Sequence, residues 1–415
     1  MTNLGNILTL RYDPTSSQGR GGQDLSIRSI TPDELSHLRQ VFSIDSNNVP
    51  TSQKLESEIR RIIKNSIEES KRKRIAVALS SGVDSNVIFS LIRKEFPSIE
   101  IDCINVTFDE DSEATRSRAI AESKGAEFHE IHVDNPLKDL PAILSIIKEP
   151  RWNVYQYYFI KKASSVSNLI FTGDGGDELF AGYTFRYKKF LEMASTHSSI
   201  EEKIRIYLQC HERDWVPDQV DMFEGTRTHF KWDSIYLLLE KYFDNSLEPL
   251  EQVLLADYHG KLMYDFIPTN EKLFKHFNLT GVAPLLGSQI IDLSMKIPSS
   301  LKYDLDANIG KIQLRKIIKQ NIPEFHEEDG KRGFGMDLPG LWDRVGKETV
   351  ISNLDKGRIF EDKLISKEWY RNSITKINEN REEATRYISK MLQLLSLEVW
   401  YRLFVTSEMK ANHAI

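Results

Sequence analysis

The stretch at 75–92, IAVALSSGVDSNVIFSLI, constrains the fold more than any other. Ile75, Ala76, Val77, Ala78 and Leu79 form a short apolar run that ends in a small polar turn, 80–85. A run that short, closed by turn residues, suits a strand buried on both faces of a parallel sheet. The Ser, Gly and Asp residues then mark a strand-to-helix turn, and the apolar residues from Asn86 to Ile92 read as the helix that follows. Such a turn gathers backbone N–H groups, hydroxyls and the positive end of a helix dipole, which together favour a phosphate. No Gly-Lys-Ser/Thr follows, so this is not a Walker A loop. Its hydroxyls and amides can hold a pyrophosphate, and Asp84 offers a carboxylate for Mg²⁺, which prefers oxygen ligands. Taken alone, it also reads as an ordinary turn rich in small residues.

The flanking chain extends the pattern. An amphipathic helix is expected at 52–70 and a helix at 84–95. Strands are expected at 101–108, 128–133 and 168–172, with helices at 112–124, 140–148 and 155–165 between them. Strand and helix in alternation imply an α/β fold: a parallel twisted sheet with helices on both faces and right-handed crossovers. Beyond about Tyr187 strand signals fade and helical patterns dominate, for example at 200–209, 234–242, 289–295, 311–321 and 382–404. Three parts are therefore expected: a short N-terminal segment at 1–54 with a strand at 7–12, an α/β core at 55–190, and a mainly helical region at 191–415.

A second turn follows the fourth expected strand. Residues 172–183, TGDGGDELFAGY, place Asp174, Asp177 and Glu178 among four glycines, directly before the apolar Leu179-Phe180-Ala181. Like charges that close are costly unless a cation or a polar network accepts them. Both turns sit at carboxyl ends of strands, where open α/β sheets bind ligands. Composition narrows the function classes. A net charge of −6 argues against a general nucleic-acid binder, and only two cysteines argue against a disulfide framework and point to a reducing cytoplasm. No apolar run is long enough to span a membrane. His129 and His132, three apart on an expected strand, should point to opposite faces and so not form a metal site.

Together the two turns resemble those of the N-type ATP pyrophosphatase (PP-loop) superfamily, and within it the synthetase domain of class B asparagine synthetases and the related β-lactam synthetases. The resemblance runs from about Leu55 to Trp342. Residues 80–85 resemble the SGGxDS loop, with Ser81 in place of a glycine, and 173–183 resemble the acidic Gly-rich segment. Phe108, Glu113 and His129-Glu130 fit the pattern after the second strand. Glu149-Pro150 resembles the end of an Asp-Glu-Pro element, with Lys148 where Asp is usual. Gly310-Lys311, Leu314, Arg315 and Pro323 resemble a Gly-Lys-x-x-Leu-Arg…Pro helix, and residues 331–335, KRGFG, a Lys-Gln-Gly-Phe-Gly turn.

The resemblance implies a two-step ligation in which Mg·ATP activates a small-molecule carboxylate as its adenylate and ammonia or another amine displaces AMP. It assigns Ser80, Ser81, Gly82 and Ser85 to pyrophosphate, Leu79, Val106 and Gly173 to the nucleoside, Asp84 and Asp177 to Mg²⁺, Lys331 to the phosphates and Asp174 to proton acceptance from the amine. Two departures stand out. Thr2 follows Met1 and only about 54 residues precede the synthetase-like part, so a glutaminase domain is not expected there; free ammonia, a separate glutaminase subunit or another amine are the alternatives, and an oligomer is compatible with each. Residues 280–287 read TGVAPLLG where the family has Glu-Ala-Arg-x-Pro-Phe-Leu-Asp, so Val282 and Gly287 replace an Arg and an Asp and point to a changed helical-domain core or a changed acceptor.

Overall fold

Five strands form one parallel sheet in the order β3-β2-β1-β4-β5: β1 Arg74–Ala78, β2 Glu100–Thr107, β3 Glu127–His132, β4 Leu169–Phe171 and β5 Thr280–Val282. This architecture comes from a computed structural model that describes residues 3–15, 29–44, 49–108, 112–211, 214–323, 325, 336–379 and 381–415.

The period-two alternation of β1 separates two cores. Ile75 and Val77 pack with Leu55, Ile59 and Ile63 of the helix Ser52–Ser70 and with Val87 and Leu91 of Val83–Glu95. Ala76 and Ile170 face the other way, onto Leu140, Leu144, Ile160 and Ala163 of the helices Leu140–Ile147 and Gln156–Val166. Both faces of the sheet are therefore covered by helices, as a near-continuous apolar strand requires. The long helix Arg381–Phe404 completes the second core with Met391, Leu392, Leu394 and Leu395, all fully buried.

One expectation needs correction. Residues 7–12 do not form a strand: Leu4–Leu10 is a helix, capped by Asn3, whose side chain accepts from the Asn6 N–H, and ended by Arg11 in a left-handed conformation (φ 73°). Gly5 to Leu10 are all buried, and an apolar run enclosed on every side carries no period to tell strand from helix. The region after Tyr187 is mainly helical, as expected, and adds one short strand. Thr280–Val282 lies beside β4 as the edge strand, with the Thr172 N–H donating to the Val282 carbonyl at 2.9 Å. The position where the family carries an arginine thus borders the second acidic turn.

Candidate active site

The 80–85 turn leaves the sheet at the end of β1. The Leu79 N–H donates to the Ile104 carbonyl of β2, and the Leu79 carbonyl accepts from Asn105 Nδ2 at 2.8 Å, which fixes the take-off point. Gly82 caps the helix Val83–Glu95, with Asp84 in its first turn. The loop holds its own shape: Ser85 Oγ accepts from the Ser80 N–H at 3.1 Å, Ser80 Oγ from the Gly82 N–H at 3.2 Å, and Asn86 Nδ2 donates to the Ser80 and Gly82 carbonyls at 2.8 Å each. Glu113 Oε1 accepts from the Ser81 N–H at 3.1 Å. Val106, on β2 opposite Ile131, lies in the same sheet and is half-buried.

The second turn packs into the first. A Cβ on Gly173 would lie 2.9 Å from Asp84 Cβ and 3.0 Å from the Ser85 nitrogen, and one on Gly176 would lie 2.3 Å from the Asp84 carboxylate. Gly175 takes φ 90° to open the short helix Gly176–Phe180, which carries Asp177 and Glu178. Only residues without a side chain allow this approach.

Lys311 joins the two turns. Its ammonium lies 2.5 Å from an oxygen of Asp84 and 2.5 Å from an oxygen of Asp177. Its backbone is left-handed (φ 57°), and its N–H donates to the Phe180 carbonyl at 2.8 Å. Gly310 makes this possible, since a Cβ there would meet the Ala181 carbonyl oxygen at 1.9 Å. Burial favours loss of the Lys311 proton, but Asp177 and Asp84 outweigh it and raise the pKa above the ordinary lysine value. The Gly310-Lys311 pair is visible as a motif in the sequence. That Lys311 meets both carboxylates is not, because the contact spans more than two hundred positions (|i−j| 227 to Asp84).

Asp174 sits on the same turn, half-buried. Its Oδ2 accepts from Thr172 Oγ1 at 2.8 Å and from Asn270 Nδ2 at 2.9 Å. Burial pushes its carboxyl above the usual range against these two bonds, and the Asp177 charge adds to the rise. Glu178 lies behind Asp177, accepting from the Tyr183 hydroxyl at 2.7 Å; burial first and Asp177 second push it up to about 8.

Asp84 and Asp177 converge on the Lys311 ammonium, and Asp177 is a third exposed, so this too is an ion-pair cluster, with carboxylate oxygens of the type Mg²⁺ prefers. Asp102, Glu127 and His129 also place ligand atoms within 4.8 Å of one another. There the Arg74 guanidinium already binds Asp102 at 2.6 Å and Glu127 at 2.8 Å, so the cluster is an ion-pair network. His129 bonds Asp102 at 2.7 Å, while His132 lies 2.9 Å from Asp134.

The structure thus brings together Leu79, Ser80, Ser81, Gly82, Asp84, Ser85, Gly173, Asp174 and Asp177. Lys331 lies outside the described residues. Met336, the next described residue, has its sulfur accepting from the Tyr155 hydroxyl at 3.7 Å. Tyr155 packs on Phe108 just past β2, with ring centroids 4.7 Å apart, and Trp152 packs on Tyr155; both are buried. Lys311 and Glu149 stand out in the sequence as motif residues without a site role, whereas Asn270, Arg151 and Lys272 carry no signal there; Glu149 accepts from Arg151 at 2.6 Å and from Lys272 at 2.5 Å.

Comparison with known proteins agrees with this architecture. The chain is 24% identical over 345 residues to asparagine synthetase [glutamine-hydrolyzing] 1 of Bacillus subtilis (strain 168), a match that covers 75% of this chain and about half, 54%, of that protein. It is 25% identical over 279 residues to the NH(3)-dependent NAD(+) synthetase of Staphylothermus marinus, covering 61% of this chain and 90% of that one. Among the described residues no helix is long and apolar enough to cross a membrane. The family profile described as asparagine synthase matches residues 58–402, which include both turns, β5 and Lys311, and the chain belongs to that family.

Proposed function

We propose that the protein is an ATP-dependent, AMP-forming ligase that joins a small carboxylic acid to ammonia or another amine. The observation that carries this reading is the convergence of Asp84 and Asp177 on the Lys311 ammonium, beside the 80–85 amides and with Asp174 on the same turn. Its relatives' names, one a glutamine-hydrolysing asparagine synthetase and one an ammonia-dependent NAD synthetase, support a nitrogen-transferring ligase.

In the first step an oxygen of the substrate carboxylate attacks the α-phosphorus of ATP. The bond to the bridging oxygen breaks, and pyrophosphate leaves with the electron pair. The 80–85 hydroxyls and amides and the Lys311 ammonium receive the charge that gathers on pyrophosphate. Asp84 and Asp177 would hold Mg²⁺, which when bound would supply further neutralisation of that charge. In the second step the amine nitrogen attacks the acyl carbon and the bond to AMP breaks. The nitrogen loses a proton to Asp174, whose raised pKa suits a proton acceptor. Lys331 is the further candidate for the phosphates.

The acceptor is read as different from that of the wider family. A Cβ on Gly287 would lie 2.4 Å from Ile62 Cδ1, so the usual aspartate there would have to displace the end of that side chain. Val282 borders the acidic turn without an arginine's charge. This favours, as a second reading, a β-lactam-synthetase-like ligase whose amine belongs to the substrate. The deciding assay follows AMP and pyrophosphate release from Mg·ATP over a panel of carboxylates, with and without ammonium. AMP and pyrophosphate are expected; ADP and phosphate would overturn the adenylation reading. Turnover without ammonium would select the second reading.

A further inference from the structure

The acidic turn is not completed by its own strand. Asn270 reaches it from the helix Ile267–His276, a part of the chain remote from both motifs, and its Nδ2 donates to Asp174 Oδ2 at 2.9 Å. Thr172 Oγ1 donates to the same oxygen at 2.8 Å. Asn270 is only 4% exposed, and among the described residues its own Oδ1 has no hydrogen-bond partner. A buried amide oxygen left unpaired is destabilising, and an apolar side chain of similar size would avoid that cost. The polar neighbours on this helix are engaged elsewhere: Thr269 accepts from Arg151 at 2.8 Å, and Lys272 donates to Glu149 at 2.5 Å. Asn270 is set apart from them by its bond to the carboxylate.

We propose that Asn270 is a positioning residue for the amine-transfer step. With Thr172 it pins Asp174 through Oδ2, so that Oδ1 is the edge turned to the incoming nucleophile. The inference rests on the ligase reading above. As the nitrogen bonds to the acyl carbon and AMP leaves with the electrons of the C–O bond, the nitrogen's proton passes to Asp174 Oδ1. Neither described bond of Asp174 engages that oxygen. Asn270 has no described bond to Ser80, Asp84, Asp177 or Lys311, so its effect should fall on the second step alone.

The two steps can be read separately in the full chain with Mg·ATP. Pyrophosphate release in a single turnover reports adenylation over the carboxylate panel; acyl transfer to hydroxylamine or ammonium reports the second step. Asn270→Leu should fold with a Tm equal to or above that of the parent. It should adenylate at a rate within about twofold and transfer to amine on the order of 10- to 100-fold more slowly. Asn270→Gln, which keeps a donor, should recover part of the loss. Should the Leu variant fail to fold, Thr172→Val removes the other donor to the same oxygen and reads the same split. Unchanged amine transfer, or an equal fall in both steps, would overturn the role. No pyrophosphate from the parent with any carboxylate would instead overturn the ligase reading, and this role with it.

Discussion

Two buried ionic clusters stand side by side in this molecule. The Tyr187 hydroxyl lies between them, 3.5 Å from the Asp177 carbonyl and 3.2 Å from the Asp257 carboxylate. In one, Asp257 accepts from Arg186 at 3.0 Å and from the Tyr207 hydroxyl at 2.9 Å. Burial alone would raise the Asp257 carboxyl, but Arg186 and His211 hold it well below the usual range. Burial pushes His211 down to about 4, so it is neutral near pH 7. One positive and one negative charge cancel, and the whole cluster is sealed. In the other, Lys311 faces two carboxylates, a net charge of −1, and Asp177 opens to solvent. A closed neutral cluster holds the fold. An open one with an acid in excess is prepared for a further cation and an anionic ligand.

The sharpest way to break this contrast is Asp177→Asn. Turnover should fall on the order of 10³-fold while the thermal midpoint moves by little; a rate near the parent's would end the assignment. Asp257→Ala should do the reverse. Leaving Arg186 buried and unpaired is expected to cost about 3 kcal/mol of stability in urea unfolding, with the folded fraction still adenylating. Gly182→Ala tests how tightly the open cluster is set, because the new Cβ would lie 1.9 Å from Asp177 Oδ1 and 2.2 Å from Lys311 Cε. A loss of about 2 kcal/mol, with weakened ATP binding, is expected by calorimetry.

A last effect is one of pH. Glu178 is raised from 4.5 to about 8, so the folded state binds the extra proton between those values. Its contribution to stability is full below 4.5 and is lost as pH rises through about 8. Glu178→Gln should therefore flatten part of the fall in Tm across that window. An unchanged profile would show that burial at this carboxyl is not felt.

Much of the site was legible because each turn is local. The 80–85 and 173–183 segments carry their glycines, hydroxyls and carboxylates within one strand-to-helix junction, so composition and order report the chemistry directly. Lys311 and Asn270 act only where distant chain segments meet, and nothing in their neighbours' periodicity marks them. Of the fold, β1 to β4 stood out as apolar runs between turn residues. β5 is three residues, Thr-Gly-Val, too short for any alternation to show. The helix Leu4–Leu10 was misread because enclosure on all sides erases the amphipathic pattern.

The placement of β5 also bears on how the chain is made. β4 has an open edge until Thr280–Val282 is available, so a nascent chain carries Leu169–Phe171, an apolar ladder without its neighbour, throughout synthesis of 172–279. Chains halted or clipped in that interval would present a sticky strand to one another. Faithful production of this protein should therefore depend on how quickly translation crosses that gap, and on chaperones that shield the edge meanwhile.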